Sequence, residues 1–296
     1  AAGLFVLLAA AAHYWHDQLS NPRGAWAPSA PAALDSGAIG LVAAAAGLGL
    51  LVRAKCLGEY VVLTGSMLPT LEPGDQVLGE RLAPGLRRGD IIMFRSSAVQ
   101  GLSSAVPDVL AKRILGLPGD LVGMHAGVPT INGWEVPSCD AGDYLYVLPD
   151  GSGGAFHGRA RVEFLENRAY LTVRAAVLTP FPEAYEVKPG EVFVLGDNRN
   201  NSFDSRSWNG GRGGGVPLAA IEARARVFLF GTHRDGSLDL GLLFRPIDRS
   251  RVHMEGLDMR PLAEGIGQCL RQRPAETWPP AAGASRPPPS EARGGP

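Results

Sequence analysis

"YVVLTGSMLPTLEPGD", residues 60–75, is the stretch on which the reading of this chain turns. A β-branched apolar run ends at a serine set between glycine and methionine, with a proline three positions further on. A serine hydroxyl is inert until one group takes its proton and others stabilise the oxyanion that follows. In an extended strand Tyr60, Val62 and Thr64 share one face. Ser66 joins them if the backbone stays extended through Gly65, which makes the Thr64 and Ser66 hydroxyls neighbours. Pro69 disfavours helical dihedrals at Leu68. The strand-to-helix elbow of an α/β hydrolase also needs glycine where Leu68 stands, and an SxxK pattern fails because position 69 is proline.

The proton acceptor is sought in "AKRILGLPGD", residues 111–120. Alternation sends its two adjacent charges to opposite faces, Lys112 between Leu110 and Ile114, Arg113 between Ala111 and Leu115. Both charges are then held against apolar neighbours. Burial disfavours the ammonium form, and moving a lysine from about 10.4 to near 7 takes roughly 3 units, within what burial supplies. A neutral amine there can take the serine proton. The competing reading is a lysine that snorkels its head into water.

A third stretch, "GDNRNNSFDSRSW", residues 196–208, gathers Asp197, Asn198, Arg199, Asn200, Asn201, Ser202, Asp204 and Arg206 behind the strand "EVFVL". A calcium loop does not fit, since Arg199 takes the third ligand position from Asp197 and no glycine stands at the sixth. The segment supplies a hydroxyl to orient an amine and carboxylates to pair with arginines.

Around these stretches the chain divides into three parts. Residues 1–56 form an expected membrane anchor of one or two spans. The uncharged run from Ser36 to Val52 sits at the lower limit of about 17 residues for a spanning helix, and "AAGLFVLLAAAA" opens the chain. Residues 57–248 carry short runs such as "EYVVLT", "DIIMF", "LVGMH", "RAYLTV", "EVFVLG" and "RARVFLF", cut by "EPGD", "RRGD", "LPGD" and "KPGE". The expected fold class is mainly β, a compact partly open barrel or sandwich. Residues 249–296 form an extension with an amphipathic fragment around Leu262, Ile266 and Leu270, and a Pro/Gly-rich tail expected to be disordered from about 273.

Composition narrows the partners. With 28 Lys+Arg against 29 Asp+Glu, scattered rather than clustered, nucleic acid is not an expected partner. The three cysteines, Cys56, Cys139 and Cys269, lack metal-ligand spacing, and no metal or other cofactor is expected. Three unpaired thiols are the simplest reading; a Cys139–Cys269 disulfide is open to the chain in an oxidising compartment.

Together, "TGSMLPTL", "RGDIIMF", "KRILGLPGD" and "GDNRNNSFDSR" resemble, in that order, the four boxes of the type I signal peptidases, membrane-bound serine proteases that remove signal peptides from exported preproteins. The resemblance covers roughly residues 36–230. It implies that Ser66 is the nucleophile and Lys112 the general base. Ser202 would orient the amine, and the Ser66 N–H with the Thr64 side chain would form the oxyanion hole. Arg113, Asp197, Asp204 and Arg206 would form a supporting ionic network.

Val62, Met67 and Ala111 are the expected substrate-pocket residues, selecting small side chains of the Ala-x-Ala type from a substrate that adds as a strand. The implied partners are preproteins and membrane lipid, with the catalytic domain on the outer side of the cytoplasmic membrane. Arg53 and Lys55 after the span, against Arg23 before it, bias the charge weakly the other way.

Asn200 departs from the family's usual aspartate, and the glycine-rich "NGGRGGGVP" after Trp208 is expected to be mobile. The rival readings are a triad using His125, His157, His233 or His253, a self-cleaving Ser/Lys repressor, and a membrane-anchored scaffold without activity.

Overall fold

The computed structural model describes residues 47, 55–81, 85–102, 106–147, 155–175, 181, 183–232, 237–247 and 258–281. Both apolar runs expected to span a membrane lie outside these, apart from Gly47. Among the described residues no helix is long and apolar enough to cross a bilayer.

Strands dominate. An eight-stranded sheet contains β1 (Leu57–Val61), β2 (Gln76–Glu80), β3 (Ile91–Arg95), β4 (Val109–Gly116), β12 (Glu191–Leu195), β13 (Val216–Pro217) and β14 (Ile221–Thr232) in the order β1-β2-β14-β3-β4-β12-β13. A short β15 (Leu238–Asp239) pairs with β14. A three-stranded sheet is built of β8 (Ser138–Val147), β9 (Ala155–Leu165) and β10 (Arg168–Arg174). A four-stranded sheet contains β5 (Leu121–His125), β6 (Val128–Ile131), β7 (Trp134–Glu135) and β11 (Tyr185–Glu186). The mainly-β expectation holds, with open sheets rather than a closed barrel.

Continuous apolar runs in the large sheet follow from burial of both its faces. Along β3, Ile91 and Met93 enter a cluster with Val62, Met67, Val77 and Phe228, while Ile92 and Phe94 enter another with Ile114, Val194 and Trp208. On β4, Leu110, Lys112 and Ile114 are buried, and so are Arg113 and Leu115 on the other face. The strand therefore carries its two charges through the core.

Helix α1 (Arg260–Arg271) lays Leu262, Ile266 and Cys269 on the β8–β9–β10 sheet. Leu270, expected on that apolar face, is half exposed, because the i, i+4, i+7 face runs through Cys269 instead. Cys139 on β8 is joined to Cys269 by a disulfide, so the reading of three free thiols is corrected and Cys56 alone is free.

The segment after α1, expected to be disordered from about 273, is laid down as far as 281. Thr277 exchanges backbone and side-chain hydrogen bonds with Glu166 at the β9–β10 turn, and the Pro280 carbonyl accepts from Asn132. A Pro-rich segment builds no core of its own, yet a neighbouring turn pairs its backbone. The glycine-rich loop is likewise seated, with Asn209 Nδ2 donating to the Gly213 carbonyl.

Candidate active site

Ser66 does not continue the strand. Gly65–Met67 forms a single 3₁₀ turn: the Leu68 N–H returns to the Gly65 carbonyl, and the Met67 carbonyl accepts from Thr70 and Leu71. The extended-backbone expectation is therefore corrected, while Thr64 keeps extended dihedrals just ahead of the turn. The Thr64 and Ser66 hydroxyls nevertheless meet, at 3.1 Å.

Across from this turn, Lys112 is 2% exposed and its Nζ lies 2.7 Å from Ser66 Oγ. The same nitrogen donates to the Ala111 carbonyl at 3.1 Å. Among the described residues it forms no ion pair. Burial pushes the Lys112 amine down to about 8, against the opposing pull of Asp204 and then Asp197. The snorkelling alternative is overturned, because the stem and the head are both inside.

Ser202 lines the same cleft as Thr64, Ser66 and Lys112, and its buried Oγ is close enough to Asp204 to help hold that carboxyl low. The structure brings it to the amine's cleft but not into contact with the amine. Gly196 permits the close approach of this loop, since a Cβ there would collide with Ser202 and with the Ser66 carbonyl. Asn198 grips the nucleophile turn: its N–H donates to the Ser66 carbonyl at 3.1 Å and its Nδ2 to the Gly65 carbonyl at 3.0 Å.

The four supporting charges form two ion pairs. Arg113 holds Asp197 through two bonds of 2.7 and 2.6 Å, with Thr70 Oγ1 donating to the same carboxylate and the Tyr170 ring 4.1 Å from the guanidinium carbon. Arg206 holds Asp204 through two bonds of 2.8 Å, and Asp204 also accepts from the Gly196 N–H. Burial alone would raise the Asp204 carboxyl, but Arg206 holds it below the usual range.

Beside the serine, a cavity of about 350 Å³ is lined by Val62, Leu63, Met67, Met93, Leu110 and Ala111 among others. All three expected pocket residues are in it. The cavity separates β1 and its continuation to Thr64 from Pro107–Ala111. On this stretch β4 pairs with β3 on one side, while its pairing with β12 begins only at Arg113.

The two histidines among the described residues stand elsewhere. His125 is an exposed partner of Glu135, His157 is exposed on β9, and His233 and His253 lie outside the described residues. Among the described residues no cluster of three His, Cys, Asp or Glu is placed to hold a metal ion.

The sequence reading gave no role to Thr70 or to Asn198 by itself and did not foresee the buried cluster of Glu163 with Arg174 and Arg199. The signal for the last was available, since "RVEFL" sets a carboxylate in an apolar strand as "AKRIL" sets an amine.

Residues 36–230 match the family described as "Signal peptidase, peptidase S26". A signal peptidase I from Leptolyngbya laminosa is 31% identical over 195 residues, covering 64% of this chain and 77% of the relative. One from Bacillus caldolyticus is 31% identical over 158 residues, 52% of this chain and 72% of the relative. A probable thylakoidal processing peptidase 2, chloroplastic, from Arabidopsis thaliana is 30% identical over 187 residues, 60% of this chain and 39% of the relative.

Proposed function

The chain belongs to the signal peptidase family, peptidase S26, and is a serine endopeptidase of the signal peptidase I type that acts on signal-peptide-bearing preproteins; from that premise we propose that Ser66 is its nucleophile and Lys112 its general base. The observation that carries the assignment is the 2.7 Å approach of a fully buried amine, without an ion pair among the described residues, to a serine oxygen. Neutral Lys112 takes the Ser66 proton as Oγ attacks the scissile carbonyl, and an acyl-enzyme forms. The resulting ammonium gives its proton to the leaving amine, and the regenerated amine then activates the water that releases the acyl group. Thr64 Oγ1, beside Ser66 Oγ, and the Ser66 N–H stabilise the oxyanion. Ser202, its hydroxyl buried in the cleft that Lys112 also lines, orients the amine as substrate enters.

The substrate's cleavage region adds as a strand in the cavity between Glu59–Thr64 and Pro107–Ala111. Alternation turns its first and third residues before the scissile bond to one wall, and the modest volume bounded by Val62, Met67 and Ala111 favours small side chains there. We place the catalytic domain outside the cytoplasmic membrane, anchored through the run at 36–52. The Cys139–Cys269 disulfide supports that side, because such bonds persist in oxidising compartments. Ser66→Ala and Lys112→Ala should each abolish cleavage of a model precursor in detergent while circular dichroism stays that of the parent. Full activity in either variant refutes the dyad.

A further inference from the structure

Resting on the Ser66/Lys112 reading, we infer that Glu163, on a different sheet from Lys112, is a positioning residue that locks the loop 197–202 against the nucleophile turn. Glu163 is fully buried on β9, facing Tyr170 of β10. Its Oε1 and Oε2 each accept from Arg199 at 2.6 Å, and Oε1 also accepts from Arg174 at 2.8 Å and Thr172 at 3.2 Å. Burial would raise this carboxyl, but Arg199 and then Arg174 hold it down to about 2.

Arg199 is the middle of the loop that matters. The residue before it, Asn198, holds the Gly65 and Ser66 carbonyls, and three residues after it comes Ser202. Its own Nε donates to the Gly196 carbonyl and its carbonyl accepts from Arg206, the partner of Asp204. Its N–H donates to the Val173 carbonyl of β10, and Asn200 accepts from the Ala175 N–H. The loop is thus sewn to the end of β10 by backbone bonds and bolted to β9 by one two-pronged carboxylate–guanidinium contact. A buried pair whose only task was cohesion has no need to seize the residue next to the one that grips the nucleophile.

Glu163→Asp keeps the charge but is one methylene too short to span Arg199 and Arg174 together, and Glu163→Gln keeps the length but loses the charge. Both are to be compared with the parent, as the full chain in detergent, for precursor cleavage and for the titration of the Lys112 amine. Only Lys55, Lys112 and Lys188 are present, so ¹³C-lysine labelling resolves that titration by NMR.

We expect kcat to fall at least tenfold in Glu163→Asp with KM within twofold, because most walls of the substrate cavity, from Glu59 to Leu63, at Met93 and from Pro107 to Ala111, stand on elements the loop does not hold. The Lys112 titration should move upward toward the ordinary lysine value, because a released loop admits water. Around that amine the charged groups are Asp197 and Asp204, whose pull is upward, with Arg113 on the opposite face of β4. Loss of the Glu163 charge acting through space alone would move the titration downward in Glu163→Gln and leave Glu163→Asp unchanged, which overturns the inference.

A folded Glu163→Asp with parental kcat and titration, a change confined to KM, or failure of this variant to fold would each overturn it as well. If the parent itself cleaves no precursor, the dyad reading fails, and the Lys112 titration still decides for or against Glu163.

Discussion

Lys112 and Arg113 are separated by one peptide bond, and both are buried, yet the two faces of β4 treat their charges in opposite ways. On Arg113's side an entire retinue attends the charge: the Asp197 carboxylate in a fork, the Gly89 carbonyl, and the Tyr170 ring. Burial opposes that guanidinium, and Asp197 more than reverses the effect. On Lys112's side there is a serine oxygen and a backbone carbonyl, with both carboxylates too far away to pair. The first face is a compensated charge that holds the fold, and the second is an uncompensated one whose discomfort makes it a base. Equal depth therefore says nothing about role, and the partners decide it.

The sharpest way to break the contrast is to make Arg113 as lonely as Lys112. Asp197→Asn removes the charge that faces the buried guanidinium and keeps the size of the side chain. Stranding one member of a buried ion pair costs about 3–5 kcal/mol. Urea denaturation should show a loss of that order, with activity falling as the loop that begins at Asp197 loosens. A loss below about 1 kcal/mol would mean that the two faces do not differ in the way described.

The reverse experiment relieves Lys112. Its folded value of about 8 lies below the ordinary lysine value, so the unfolded chain binds the proton more tightly than the native one. The penalty is present in full below about pH 8 and disappears as pH rises past the unfolded value of about 10.5. Lys112→Met fills the same space without the charge. It should be inactive and yet more stable at pH 7 by about 1–3 kcal/mol, an advantage that shrinks as the denaturation is repeated at rising pH. Asp197→Asn, in the loop after β12, and Lys112→Met, on β4, would thus change stability with opposite signs.

Much of this contrast could be read before any coordinates. Alternation alone put Lys112 and Arg113 on opposite faces among apolar neighbours, the family resemblance then argued against a snorkelling lysine, and the runs at β1, β3, β5, β10, β12 and β14 stand between turn residues that mark their ends. Strands β8 and β9 are harder to see, because Asp140, Gly142, Asp143, Arg159 and Arg161 interrupt the apolar pattern. Those charges pair across the two strands, Arg159 with Asp140 and Asp143, so a ladder of ion pairs does on the exposed side what apolar alternation does elsewhere. The 3₁₀ turn at Ser66 was not legible, since it depends on which carbonyls the loop at Asn198 captures, and the Cys139–Cys269 bridge was legible only as an open alternative, since it joins residues 130 apart. Glu163 was legible in kind but not in partner, because nothing local says which buried cation it meets.

The smallest expected effect tests the uncompensated face most directly. Asn200 lines the cleft with Lys112 and accepts from the Ala175 N–H at 2.9 Å, a bond that an aspartate in its place accepts equally well. Asn200→Asp therefore changes the charge near the amine with little change in shape. Cleavage needs the neutral amine, so the parental rate should fall about tenfold per pH unit below about 8 and level off above it. A new carboxylate favours the ammonium form and raises its pKa, but Asn200 is only partly buried and water screens it. The acid limb should shift upward by about 0.2–0.5 pH units, with the alkaline plateau unchanged. A shift downward, or an acid limb that ignores the substitution while the plateau drops, would mean that the limb reports some group other than Lys112.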